Sequence, residues 1–200
     1  MHVEEQRNEI ESSLAHYGKT PLALLLDRLE VGPEFTFVHC THSSDSDLER
    51  LLSTGANVCL CPLTEANLAD GIAPAPLSKE GFELSLGTDS NLRIDVTEEM
   101  RLLEYAQRLS RERRGIFTDG AGSVASRLFR IATEGGARSL GLRAGRIETG
   151  YAADFFTLDA RAPVLADVSP GDVLTAFVLG AGKDAICRVA VSGEWVFSRG

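Results

Sequence analysis

Long apolar runs are missing from this chain: no stretch of its 200 residues approaches the roughly eighteen consecutive apolar positions that a membrane-spanning helix needs. Cysteine is scarce, with four residues at 40, 59, 61 and 187. Their spacing matches neither a zinc finger nor a secreted disulfide framework, so they read as thiols packed as small hydrophobes in a reducing compartment. Proline (7 residues) and tryptophan (1 residue) are also few, and no low-complexity tract or internal repeat is present. Positive charge is in deficit as well. Lys plus Arg total 20 against 29 Asp plus Glu, and the net charge of −9 opposes attraction to nucleic acid or to anionic lipid. The opening residues MHVEEQRNEIE are polar and acidic, unlike a signal or transit peptide, and the expectation is a cytoplasmic protein.

What is present is ordinary globular material: 44% apolar and 24% charged residues, in a chain long enough to bury about 70% of its unfolded surface around one core. Short apolar strands alternate with helices. Residues 4–29 read as two helices broken at Gly18, the second starting at Pro21. Residues 34–40 (EFTFVHC) and 57–61 (NVCLC) read as buried strands, with a helix between them capped by Ser43-Ser44-Asp45. Pro62 ends the second of these strands, and residues 63–76 read as a polar loop before a strand at 82–88. Two long helices are expected next, one at 97–113 with Thr97 as N-cap, one at 123–140. Wholly apolar strands separated by helices mean a parallel sheet covered by helices, an α/β fold. After about residue 142 the texture changes to strand-like pieces, ADFFTLD at 153–159 and AICRVAVSGEWVF at 185–197, the latter with a Ser-Gly turn at 192–193. Two units are therefore expected, 1–142 and 143–200.

His2, His39 and Asp89 fall at or just past the C-terminal ends of three different strands. Parallel α/β sheets gather reactive groups on that rim, and His with Asp suits zinc or iron ligation and proton transfer. Glu5 reaches the same rim if its strand stops near Val3; a continuing strand would send positions 2 and 5 to opposite faces. Each residue also has a purely structural reading: His39 as a hydrogen-bonded packing residue, Asp89 as a turn or cap, Glu5 as a solvated helix start. The polar stretch Thr64, Glu65, Asn67 and Asp70 is a substrate-contact candidate, with ordinary turn chemistry as its alternative. His42 either orients His39 or caps the helix after it.

These pieces resemble the amidohydrolase superfamily and, within it, the formimidoylglutamate deiminases. The carrying motifs are MHVEEQ at 1–6, VHCTH at 38–42, CLCPLTEANLADGI at 59–72, LGTDSN at 86–91 and EEMRLLEYAQRL at 98–109. The resemblance implies that the chain holds the C-terminal half, strands five to eight, of a metal-dependent (β/α)8 barrel, plus part of a small β-sandwich. It implies a divalent metal, zinc above all, with His2 and Asp89 as ligands. Glu5 is implied as the acid/base that moves a proton to the departing nitrogen, His39 as the residue touching water and substrate, and Asp89 also as the group that deprotonates the water. The implied reaction converts N-formimino-L-glutamate to N-formyl-L-glutamate and ammonia, in a homodimer acting on a small molecule without nucleic-acid or membrane partners. The His-x-His pair that completes the metal site in such enzymes is not in this sequence, and the chain alone is expected to be an inactive fragment. Alternatives are another amidohydrolase deaminase or chlorohydrolase, and a non-catalytic remnant that oligomerises through open strand edges.

Overall fold

A computed structural model describes residues 1–199; Gly200, the last residue of the expected second unit, lies outside the described residues. Four short strands form a parallel sheet in sequential order: β1 (His2–Val3), β2 (Thr36–His39), β3 (Asn57–Leu60) and β4 (Glu83–Leu86). Register sets Val3 opposite His39, Asn57 opposite both Thr36 and Glu83, and Leu60 opposite Leu86, so the C-terminal ends line up along one edge. Phe37, Val58, Leu60 and Leu84 are at most 3% exposed, and they pack into one core with Leu48, Leu51, Met100, Leu103 and Leu128 from the covering helices. Phe37 and His39 of β2 are buried while Thr36 and Val38 are only half-buried.

The connections are helical. After β1 come α1 (Arg7–Tyr17), closed by Gly18 at φ +68°, and α2 (Pro21–Arg28), whose N-cap Thr20 accepts from the Ala23 N–H. Between β2 and β3 lies α3 (Asp45–Leu52), capped by Ser44 as its sequence indicates. The stretch expected as a loop over 63–76 instead opens as α4 (Pro62–Leu68). Pro62 ends the strand and also serves as the first helical residue, where its missing N–H costs nothing. Following β4, α5 (Val96–Arg111) starts earlier than expected: the N-cap is Asp95, whose carboxylate accepts from both the N–H and the hydroxyl of Thr97. The helix expected over 123–140 is divided into α6 (Val124–Arg130), a π-turn at Ile131–Gly135 and α7 (Gly136–Ser139). The wide turn seats Gly135 against β4, where any Cβ would lie 1.9 Å from the Leu84 carbonyl oxygen.

The remaining chain forms a three-stranded antiparallel sheet, β5 (Phe155–Leu158), β6 (Ile186–Val191) and β7 (Glu194–Ser198), with the β6–β7 turn at Ser192-Gly193 where it was expected. One element went unread: α8 (Val173–Gly180), apolar around its whole circumference. Its last carbonyls are satisfied by Arg101 of α5, whose Nε donates to Val178 O at 2.8 Å. Phe177 of α8 packs on Phe156 and Phe129, with ring centroids 5.4 and 6.5 Å apart, and so joins the second sheet to the first unit. No helix among the described residues is long and apolar enough to cross a membrane.

Candidate metal-dependent active site

β1 stops at Val3, and Glu4 turns the chain with a left-handed φ of 54°. Glu4 is itself fully buried, its carboxylate accepting from the Leu22 N–H and the Ser43 hydroxyl. Glu9 reinforces the turn by accepting from the N–H groups of Glu4 and Gln6, both at 3.0 Å. The condition on Glu5 is thereby met: its carboxylate lies 3.7 Å from His39 Nε2. Asp89, on the loop after β4, also approaches to 3.7 Å of the same nitrogen. The His2 ring stands edge-on to His39 with centroids 5.0 Å apart. Three residues read from the sequence as sharing one rim with His39 are thus gathered around it. His39 (φ 76°), Cys40 (φ 54°) and Asp89 (φ 56°) share the left-handed conformation of Glu4. Such backbone costs about 1–3 kcal/mol per residue and persists only where the surroundings impose it, which is characteristic of sites.

His39 is fully buried. Its Nδ1 bonds the Glu65 carboxylate at 3.1 Å, and Glu65 also accepts from the Cys61 N–H at 3.0 Å. A carboxylate acceptor fixes the proton on Nδ1 and leaves Nε2 to face Glu5 and Asp89, where it has no hydrogen-bond partner. Burial alone would lower the basicity of this imidazole. The hydrogen bond that His39 donates to Glu65 and the charges of Glu5, Glu65 and Asp89 outweigh it and raise the pKa above the ordinary histidine value. Glu5 is also shifted upward, first by burial, then by the charges of Asp70 and Asp89, with His39 opposing. Burial and neighbouring charge thus favour the protonated carboxyl of Glu5 more than in a free glutamate.

Two donor sets capable of holding a metal meet at His39: His2, Glu5 and His39, and His39, Cys61 and Asp89, the ligand atoms of each set lying within 4.8 Å of one another. His2 and Asp89, the expected ligand pair, each stand beside His39 but in different sets. The orphaned, buried Nε2 flanked by two carboxylates suits a divalent cation. Cys61, read from the sequence as packing, faces the site, and its parity with Cys59 was the available clue. Glu65, read as a substrate contact, spends its carboxylate behind His39. Thr64 donates to Thr88 O at 2.6 Å and Asn91 to Leu63 O at 3.0 Å, so both fasten the Asp89 loop to α4. Asn67 lies on the exposed side of α4. Asp70 and His42 border a groove of about 390 Å³ together with Gln6, Arg7 and Asn8. A separate cleft of about 260 Å³ around Glu83 and Arg138 opens at the opposite end of β4, away from these groups.

Residues 1–196 match the amidohydrolase family. The chain belongs to that family. It is 35% identical over 202 residues to formimidoylglutamate deiminase of Pseudomonas aeruginosa, covering all of this chain and 45% of the relative. It is 32% identical over 200 residues to 5-methylthioadenosine/S-adenosylhomocysteine deaminase of Pyrococcus abyssi, covering 98% and 45%. Among solved structures, an amidohydrolase from Brucella melitensis superimposes with a TM-score of 0.89 at 34% identity, over 98% of this chain and 44% of that one. An adenosine deaminase from Xanthomonas campestris with bound zinc gives 0.85 at 30% identity, over the same shares. This amidohydrolase chain therefore spans less than half the length of the curated relatives it matches, and its family is one of hydrolytic deaminases among others.

Proposed function

We propose that this amidohydrolase chain is the C-terminal half of a metal-dependent (β/α)8 barrel that hydrolyses a carbon–nitrogen bond outside peptides, with N-formimino-L-glutamate as substrate. The observation that carries the reading is the gathering of Glu5, Asp89 and His2 around the unpartnered Nε2 of buried His39, on the aligned C-terminal ends of parallel strands. Support for the substrate comes from the 35% identity to a formimidoylglutamate deiminase along the whole chain. His2 and Asp89 would hold the metal, zinc by analogy with the Xanthomonas campestris structure. When bound, such an ion acts as a Lewis acid that makes water a nucleophile near neutral pH.

The protein's own groups divide the remaining work. Asp89 accepts a proton from the attacking water. Glu5, its pKa raised, carries that proton to the departing nitrogen, so that water adds to the formimino carbon, the carbon–nitrogen bond breaks and ammonia leaves with N-formyl-L-glutamate as the other product. His39, locked by Glu65, directs Nε2 at the reacting atoms. The groove bordered by Arg7, Asn8 and His42 offers donors for the substrate carboxylates.

The test joins this chain to the N-terminal half of the Pseudomonas aeruginosa deiminase and follows ammonia release from N-formimino-L-glutamate. Activity is expected, with Glu5→Gln lowering kcat by about 100-fold or more. Full activity in that variant removes Glu5 from its role. A second reading, deamination of an adenosine-type purine, is favoured by the Pyrococcus abyssi relative, and release of ammonia from 5-methylthioadenosine in place of the formimino compound would establish it.

A further inference from the structure

Neither of the roles just given uses Cys61. It is 1% exposed, stands directly after β3, and lies two residues on from the half-buried Cys59. Gly87, just past β4, makes room for both sulfurs: a Cβ there would lie 3.2 Å from Cys59 Sγ and 3.4 Å from Cys61 Sγ. Cys61 Sγ, a ring nitrogen of His39 and a carboxylate oxygen of Asp89 come within 4.8 Å of one another. Independently, His39 Nε2 is fully buried, has no partner, and is held toward this space by the Glu65 bond at Nδ1.

We propose that His39 Nε2, Cys61 Sγ and Asp89 form a binding site for a thiophilic divalent cation of the cadmium and zinc class, overlapping the candidate active site but distinct from the His2–Asp89 pair. Thiolate and carboxylate together balance the two positive charges, and the neutral imidazole adds a nitrogen donor. Metal–sulfur and metal–nitrogen bonds of about 2.3 and 2.0 Å set donor separations somewhat under 4 Å, so closure asks for side-chain shifts on the order of 1 Å. On binding, the cation forms a bond to sulfur and the Cys61 thiol proton passes to solvent. Soft cations favour such a donor set and magnesium does not. Because the site takes up His39 and Asp89, a soft cation there inhibits the reaction proposed above. The binding claim itself rests only on this chain's donors and not on the identity of the substrate.

Cadmium titration of the chain, read by the ultraviolet sulfur-to-cadmium charge-transfer band, tests it. One equivalent is expected to produce the band, and magnesium none. Cys61→Ser should abolish the band and His39→Asn weaken binding at least tenfold, while Cys59→Ser and His2→Asn keep the band. No binding, a band that survives Cys61→Ser, or a band lost in His2→Asn overturns the proposal. X-ray absorption of the cadmium-loaded, unsubstituted chain needs no variant to fold: one sulfur in the cadmium shell supports the site, none or two overturns it. A missing deiminase activity would leave this sulfur signal in place, so the two failures are distinguishable.

Discussion

The two sheets of this molecule use the same residue types to different ends. In the parallel sheet, β1 and β2 end in left-handed backbone at Glu4 and His39, and polar side chains are buried there: His39, Glu4 and Glu65 at 0%, 0% and 3% exposure. In the antiparallel sheet β6 and β7 are longer, and β7 is exposed throughout, with Trp195, Val196 and Phe197 at 44%, 62% and 46%. The first invests backbone strain and desolvated polar groups in one rim. The second buries no polar side chain among the described residues, bends left-handed at the Ser192-Gly193 turn, and joins the rest through packing of Phe156 and Phe177. Chemistry thus concentrates where parallel strands end together, because only there do side chains from successive strands converge.

Substitutions can break or sharpen that contrast. The largest effect on stability is expected at the join: Phe177→Ala should cost about 3–5 kcal/mol, read by denaturant unfolding, because it empties a fully buried aromatic position. A loss under about 1 kcal/mol would mean that the second sheet contributes little to the first. Next, Glu65→Ala leaves the buried Nδ1 of His39 without its acceptor; about 2 kcal/mol of stability should go, with metal affinity falling about 10-fold or more by calorimetric titration.

Glu99 is a pH-dependent case. Burial raises its pKa to about 7, the Leu63 N–H only partly compensating, and one oxygen has no partner. The native state therefore binds this proton more tightly than the unfolded chain, whose Glu titrates at its ordinary 4.5. Stability from this group is present below about pH 4.5 and is lost as pH rises through 7, with an upper bound of ~3 kcal/mol from a shift of this size. Glu99→Gln keeps an acceptor for Leu63 and should flatten thermal stability between pH 5 and pH 8; an unchanged pH profile would show that Glu99 ionises freely. The smallest effect belongs to the exposed sheet. Trp195→Ala removes a stacking contact with Arg188, 3.5 Å from the ring centroid, and an edge contact with Phe155; about 1 kcal/mol is expected, with cadmium binding unaltered.

Much of this arrangement was legible. Apolar strand runs, the Gly18 break, the Ser44 cap and the Ser-Gly turn all report local rules, and the structure obeys them. His39 and Asp89 were found because strand ends can be located from pattern alone. Other features lacked a local signal. α4 was hidden because TEANLAD reads as polar loop while its helix is secured by Pro62 and by Glu65 bonding the Cys61 N–H. α8 was hidden because an apolar run of eight has no period to distinguish helix from strand. Asp95 displaced Thr97 as cap because its carboxylate accepts from both the N–H and the hydroxyl of Thr97.

The amino-acid sequence by itself determined the order of the strands, most of the helices between them, the family resemblance, and which residues stand at strand ends, because those depend on periodicity, caps and short motifs. Only the tertiary structure decided that Glu65 supports His39 from behind, that Cys61 faces the same space, and that Nε2 of His39 has no partner. Those facts depend on parallel register and on the close approach of β3 and β4 exits at Gly87, which bring residues 39, 61, 65 and 89 together across chain separations that no local pattern spans.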